Sequence, residues 1–148
     1  MSNAFNVSRE TTFHVRDHCL CLHAQRAARA LARRFDEAFR PLGLTSGQFS
    51  LMMALNRTEP PTMGGIAALL AMDRTTLTAA LKPLERRGLV EVTPSPRDRR
   101  RRVMTLTPSG RALLAKAVPV WVEAHGDVER LLPAGGAEIL RAGLNAVS

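Results

Sequence analysis

This 148-residue chain has no tyrosine, one tryptophan, two cysteines and only two lysines. No phenolic hydroxyl is therefore available to any site. Cys19 and Cys21 stand two positions apart and cannot staple an extracellular disulfide framework. No stretch approaches the ~20 apolar residues of a membrane span, and the N-terminus lacks the apolar core of a signal peptide. A cytoplasmic protein with no membrane partner is the expectation, and Met1–Ala4 carry no functional weight. Also missing are a Ser/His/Asp or Cys/His/Asn arrangement, a Gly-rich phosphate loop and a closed set of metal ligands. Neither catalysis nor a cofactor nor a metal is expected, and Met63-Gly64-Gly65 reads as a helix start. Apart from one arginine run, no repeat or low-complexity segment occurs.

What the chain does have is arginine, nineteen of them, and a net charge of +8. The charge is uneven: from Asp73 to Arg111 there are ten Lys/Arg against four Asp/Glu. Codon bias explains arginine in place of lysine, but it does not explain clustering. A field so lopsided suits a polyanion better than it suits general solubility.

Helical periodicity and local caps organise the rest. Leu20, Ala24, Ala27, Leu31, Phe35 and Ala38 form one stripe of a long helix over residues 13–39, ended by Pro41-Leu42-Gly43. Thr45 and Gln48 are spaced as a capping box, and Leu44 and Phe49 as a hydrophobic staple, for a helix running to about Arg57. Thr62 can cap a short helix, Met63–Ala71. Asp73 can accept from Thr75 or Thr76 and cap a helix over Arg74–Arg87, which Gly88 would end. Pro83 removes a bond to the Ala79 carbonyl and predicts a bend. Thr107-Pro108 opens a further helix, expected to break or kink at Pro119, and a last helical segment follows Pro133. Between the two halves, Leu89–Thr93 and Val103–Leu106 read as a β-hairpin whose tip holds Pro94, Ser95 and Pro96. The predicted order is α-α-α-α-β-β-α-α: mainly α with a small β-hairpin.

Two elements point to DNA. On the helix from Arg74, Leu77, Leu81 and Leu84 mark a core face. Thr75, Lys82 and Arg86 lie opposite, with Thr76 and Thr78 on the flanks. Hydroxyls and cations without bulky apolar groups suit a helix entering the major groove, with Arg74 near the base edges. The hairpin carries Arg97, Arg99, Arg100, Arg101 and Arg102, enough like charge to demand a partner of opposite sign. Asp98 among them is read as a brace that orients one arginine. A helix-turn-helix followed by a basic hairpin is the winged-helix pattern. The rival reading, a nonspecific chromatin or RNA binder, explains the arginines but not the capped helices with their threonine face.

The run Leu84-Glu85-Arg86-Arg87-Gly88-Leu89-Val90, then Asp98-Arg99-Arg100, then Val103-Met104-Thr105-Leu106-Thr107-Pro108-Ser109-Gly110 resembles the MarR family of bacterial transcription regulators. So does Leu42-Gly43-Leu44-Thr45-Ser46-Gly47-Gln48-Phe49. The resemblance implies a homodimer whose terminal helices interlock (residues 13–44 and 108–148), with a DNA-binding lobe over residues 45–107. It implies binding to a pseudo-palindromic operator in double-stranded DNA, with Asp98 as the wing aspartate and Arg100 as the minor-groove arginine. A repressor released by a small molecule or an oxidant is the function expected. Effectors in the family bind between the dimerisation helices and the lobe. Phe49, Met52, Met53 and Trp121 could line an aromatic-ligand pocket, or be plain core at helical spacing.

Cys21, 24 positions before Thr45, resembles in placement the reactive cysteine of the family's organic-hydroperoxide sensors. Those sensors steady the thiolate with tyrosine hydroxyls, which this chain lacks; His18, Arg16 or Arg26 would have to help. Three readings stay open: a small hydrophobe in a helix interface, an oxidant sensor, and one of several His/Cys ligands. His14, His18, Cys19, Cys21 and His23 provide i,i+3 and i,i+4 pairs on different sides but no closed four-ligand set.

Overall fold

Each helix of the central lobe starts at a residue whose side chain takes up a free backbone N–H. The computed structural model describes residues 7–148, so Met1–Ala4 lie outside the described residues. It contains α1 (Arg9–His18), α2 (Leu20–Phe39), a 3-10 turn (Arg40–Leu42), α3 (Ser46–Leu55), α4 (Met63–Leu69) and α5 (Arg74–Arg86). There follow β1 (Val90–Pro94), β2 (Arg102–Leu106), α6 (Pro108–Glu129) and α7 (Gly136–Ala146). Thr45 Oγ1 accepts from Gln48 N–H at 3.1 Å while the Gln48 side chain accepts from Thr45 N–H at 3.1 Å, a closed capping box. Thr62, Asp73 and Thr107 accept likewise from Gly65 (3.2 Å), Thr76 (2.7 Å) and Gly110 (3.0 Å). Gly88 ends α5 in the left-handed region at φ +69°, where a Cβ would be strained.

The core lies where α2, α3 and α6 meet the helix-turn-helix and the hairpin. Phe39, Leu51, Met52, Ile66, Leu77, Leu84 and Met104 are fully buried. Phe39 stacks on Phe49 with ring centroids 4.6 Å apart, and the staple pair Leu44 and Phe49 are both buried. The hairpin is antiparallel in the register Val90↔Leu106 to Pro94↔Arg102. A third extended segment joins it: Thr62 bridges Val103, and Met104 N–H donates to the Pro61 carbonyl at 3.3 Å. The wing is thus fastened to the start of α4.

Several expectations are corrected. The long helix over residues 13–39 is two helices, because Cys19 is extended (φ −70°, ψ 108°) and caps α2, its sulfur accepting from Leu22 N–H at 3.4 Å. Ring nitrogens of His18 and His23 lie 2.8 Å from the carbonyl oxygens of His14 and Cys19, giving side-chain partners on both sides of the break. The apolar stripe begins at Leu20, so periodicity supports α2 alone and says nothing of residues 13–19. α6 runs on through Pro119 without the break expected there, and α5 runs on through Pro83. The carbonyls these prolines leave without an intrahelical donor belong to Ala115 and Ala79, both exposed residues. The short helix stops at Leu69 rather than Ala71, which turns the chain in the left-handed region at φ 51°.

Candidate nucleic-acid interface

Burial of Leu77, Leu81 and Leu84 fixes the rotation of α5 and leaves Arg74, Thr75, Thr76, Thr78, Lys82 and Arg86 exposed. The hydroxyls on that face are not equivalent. Thr76 Oγ1 donates to Asp73 Oδ2 at 2.7 Å and Thr78 Oγ1 to the Arg74 carbonyl at 2.8 Å. With their hydrogens committed, both present oxygen lone pairs to a partner and act as acceptors. The same two contacts to Thr76, first its backbone N–H and then its hydroxyl, hold the Asp73 carboxyl below the usual carboxylate range.

The wing tip is folded by its own polar groups. Ser95, buried, donates its N–H to the Arg101 carbonyl at 2.7 Å, and its Oγ accepts from Arg97 N–H at 3.3 Å. Asp98 Oδ1 accepts from Arg100 N–H at 3.0 Å, and the Asp98 carbonyl accepts from Arg101 N–H at 2.9 Å. The ion pair between Asp98 and Arg101 is long, 3.8 Å, and exposed, so it adds little. Asp98 is therefore a brace of the backbone, an Asx turn, more than a partner of one guanidinium. Arg97 and Arg99–Arg102 all stand exposed on the loop and strand it shapes.

Two parts converge. A cleft of about 580 Å³ lies between Thr62–Gly65 at the start of α4, Arg74 at the start of α5, and Arg100–Arg102 of the wing. Four arginines and no carboxylate line it. A Cβ on Gly64 would sit 3.1 Å from Arg74 Nη2, so glycine there lets the Arg74 guanidinium lie over the first turn of α4. Sequence spacing places Arg74 on the base-reading face; the fold points it into this arginine cluster. The bridge from Thr62 to Val103 that closes the cleft, and the role of Gly64, have no local signal in the chain.

The residues singled out for an effector do not form one site. Phe49, Met53 and Trp121 come together in a mostly apolar cleft of about 530 Å³, with Ser50 and Arg57 at its edge and Leu69, Leu70 and Val118 completing the walls. Met52 is fully buried beneath it rather than lining it. Trp121 stacks on His125 with centroids 4.6 Å apart. Cys21 and His18 belong instead to the α1–α2 junction. Cys21 is exposed, its sulfur accepting from the Gln25 amide at 3.2 Å, and Cys19 is half-buried. No group of three or more His, Cys, Asp or Glu suited to a metal occurs among the described residues.

A helix-turn-helix with a basic hairpin, set between long flanking helices, defines the winged-helix class. Residues 42–101 match the sequence profile of the MarR family, and the chain belongs to that family. It is 37% identical over 76 residues to the HTH-type transcriptional repressor NicR of Pseudomonas putida, covering 51% of this chain and 48% of that protein. The chain thus spans about half the length of the curated relatives it matches first. Solved structures match over more of their length. The M. tuberculosis transcriptional regulator MOSR in complex with DNA is 38% identical with a TM-score of 0.75, covering 87% of this chain and 96% of that one. CouR from Rhodococcus jostii RHA1 bound to p-coumaroyl-CoA is 25% identical with a TM-score of 0.76, covering 88% and 92%. No helix among the described residues is long and apolar enough to cross a membrane.

Proposed function

We propose that the protein is a homodimeric, sequence-specific DNA-binding repressor of transcription, working in the cytoplasm and without catalytic activity. The observation that carries this reading is the junction of α5 with the arginine-lined cleft. Thr75, Thr76 and Thr78 face the major groove, while Arg74, Lys82 and Arg86 hold phosphates. Arg97 and Arg99–Arg102 reach the minor groove and its flanking backbone, ordered by Asp98. Residues 45–107 form the DNA-binding lobe, and residues 13–44 and 108–148 form the dimerisation region. Support for the dimer comes from α1 and α7, which bury no residue, while Phe13, Leu20, Ile139, Leu140 and Leu144 stand exposed. A second copy would cover these faces, as closed two-fold assembly requires.

The cleft of Phe49, Met53 and Trp121 suits a small apolar effector, and it lies between α6 and the lobe. CouR bound to p-coumaroyl-CoA supports a small-molecule effector, of which an apolar cleft would take an aromatic part. Selection of bound duplexes from random DNA tests the reading. A two-fold symmetric motif is expected, and enrichment of charge-dependent but sequence-indifferent duplexes would favour a nonspecific nucleic-acid binder.

A further inference from the structure

Two arginines follow one another at the end of α5, and they face different surroundings. Arg86 lies on the exposed face with Lys82. Arg87, the C-cap residue, turns back across the lobe, and its Nη1 donates to the Gly43 carbonyl oxygen at 2.6 Å. Gly43 ends the turn after α2, in the left-handed region at φ +65°. A Cβ there would lie 3.3 Å from Arg87 Nη2, so glycine serves both the backbone and the close approach of the guanidinium. The next two residues are tied from the other side. Thr107 Oγ1 donates to the Gly88 carbonyl at 2.6 Å, and Thr107 N–H donates to the Leu89 carbonyl at 3.1 Å. A Cβ on Gly110 would meet that Leu89 oxygen at 2.1 Å, so α6 starts pressed against the same turn. Residues 87, 88 and 89 thus link the recognition helix to the end of α2 and to the start of α6.

We propose that Arg87 is a positioning residue: it fixes the recognition helix to the dimerisation helices rather than holding a DNA phosphate. This rests on the DNA-binding reading above. A rigid tie at this point sets the distance and tilt between the two recognition helices of a dimer, and so the half-site spacing that the protein accepts.

The test compares Arg87→Met with Arg86→Met, each in the full chain. In the free protein, amide hydrogen exchange at Gly43, Leu44 and Gly88 should quicken about fivefold or more in Arg87→Met and hold steady in Arg86→Met. Unchanged exchange at these amides in Arg87→Met would overturn the proposal, whatever the protein does with DNA. On a duplex recovered by selection, Arg87→Met should bind about three- to tenfold more weakly with an unaltered salt slope, and should discriminate less against duplexes with half-sites moved by one base pair. Arg87→Lys, whose ammonium can still reach a carbonyl, should restore the spacing preference. Arg86→Met should instead flatten the salt slope by about one unit per protomer. The same flattening in Arg87→Met, with spacing preference intact, would make Arg87 a phosphate contact and end the proposal. If the wild type selects no duplex at all, the DNA-binding reading falls, and the exchange measurement still decides whether Arg87 holds the turn.

Discussion

Asp98 and Arg100 are joined side chain to backbone: Asp98 Oδ1 accepts the Arg100 N–H at 3.0 Å and shapes the loop that carries four of the wing's five arginines. An acid in a basic wing would weaken DNA binding if only net charge mattered. If the Asx turn matters more, Asp98→Ala should weaken binding by about 1–2 kcal/mol even though it removes a negative charge. Asp98→Asn keeps an acceptor oxygen and should stay near the wild type. Fluorescence anisotropy on a selected duplex checks both, and tighter binding by Asp98→Ala would make simple electrostatics the better account.

Gly110→Ala and Ala71→Gly should move stability in opposite directions. The first places a Cβ 2.1 Å from the Leu89 carbonyl oxygen, a backbone atom that cannot swing aside, and should cost about 1–3 kcal/mol. The second relieves a non-glycine residue at φ 51° and should gain up to about 1 kcal/mol. Chemical denaturation of the two variants beside the wild type measures both signs.

Much of this fold is legible in the chain because its punctuation is local. Thr45 with Gln48, Asp73 with Thr76, and Thr107 with Gly110 each mark a helix start through bonds spanning three residues. The short β-branched and apolar runs of the wing strands are equally local. The arginine cleft is only half legible. Its arginines stand out in the sequence, but the Thr62–Val103 bridge and the Arg87–Gly43 bond join residues far apart, and no spacing rule anticipates them. Cys19 hides the break between α1 and α2 because sulfur is an unusual cap and neither proline nor glycine stands there. Trp121 and Phe49 are recognisable in the sequence as candidate pocket residues, whereas the separation of Cys21 from them follows from tertiary packing.

Acid should loosen the recognition helix at its first turn. Thr76 N–H and hydroxyl hold the Asp73 carboxyl below its ordinary value of 3.8. A carboxyl lowered in the folded state stabilises above the unfolded value, and that contribution is lost as pH falls through the folded one. The stability advantage of wild type over Asp73→Ala should therefore be constant near neutrality and shrink below about pH 3.8. Thermal unfolding of both proteins from pH 7 to pH 3 gives the curve, and an advantage that grows on acidification would contradict the cap.

Cys21 should respond slowly to organic hydroperoxides. Its sulfur has the Gln25 amide at 3.2 Å, and the chain offers no tyrosine hydroxyl to steady a thiolate. Trapping of sulfenic acid followed by mass spectrometry should show little modification of Cys21 over minutes, with DNA binding retained. Fast, stoichiometric oxidation coupled to release from DNA, absent in Cys21→Ser, would establish a sensor.

The most direct measurement is competition binding at physiological salt between a selected duplex and a scrambled one of equal length, run beside sedimentation of the complex. A dimer of about 32 kDa, twice the 16.2 kDa chain, should bind one duplex and prefer the selected sequence by about a thousandfold or more. A preference near unity, or a monomer bound to a single half-site with full affinity, would contradict the account.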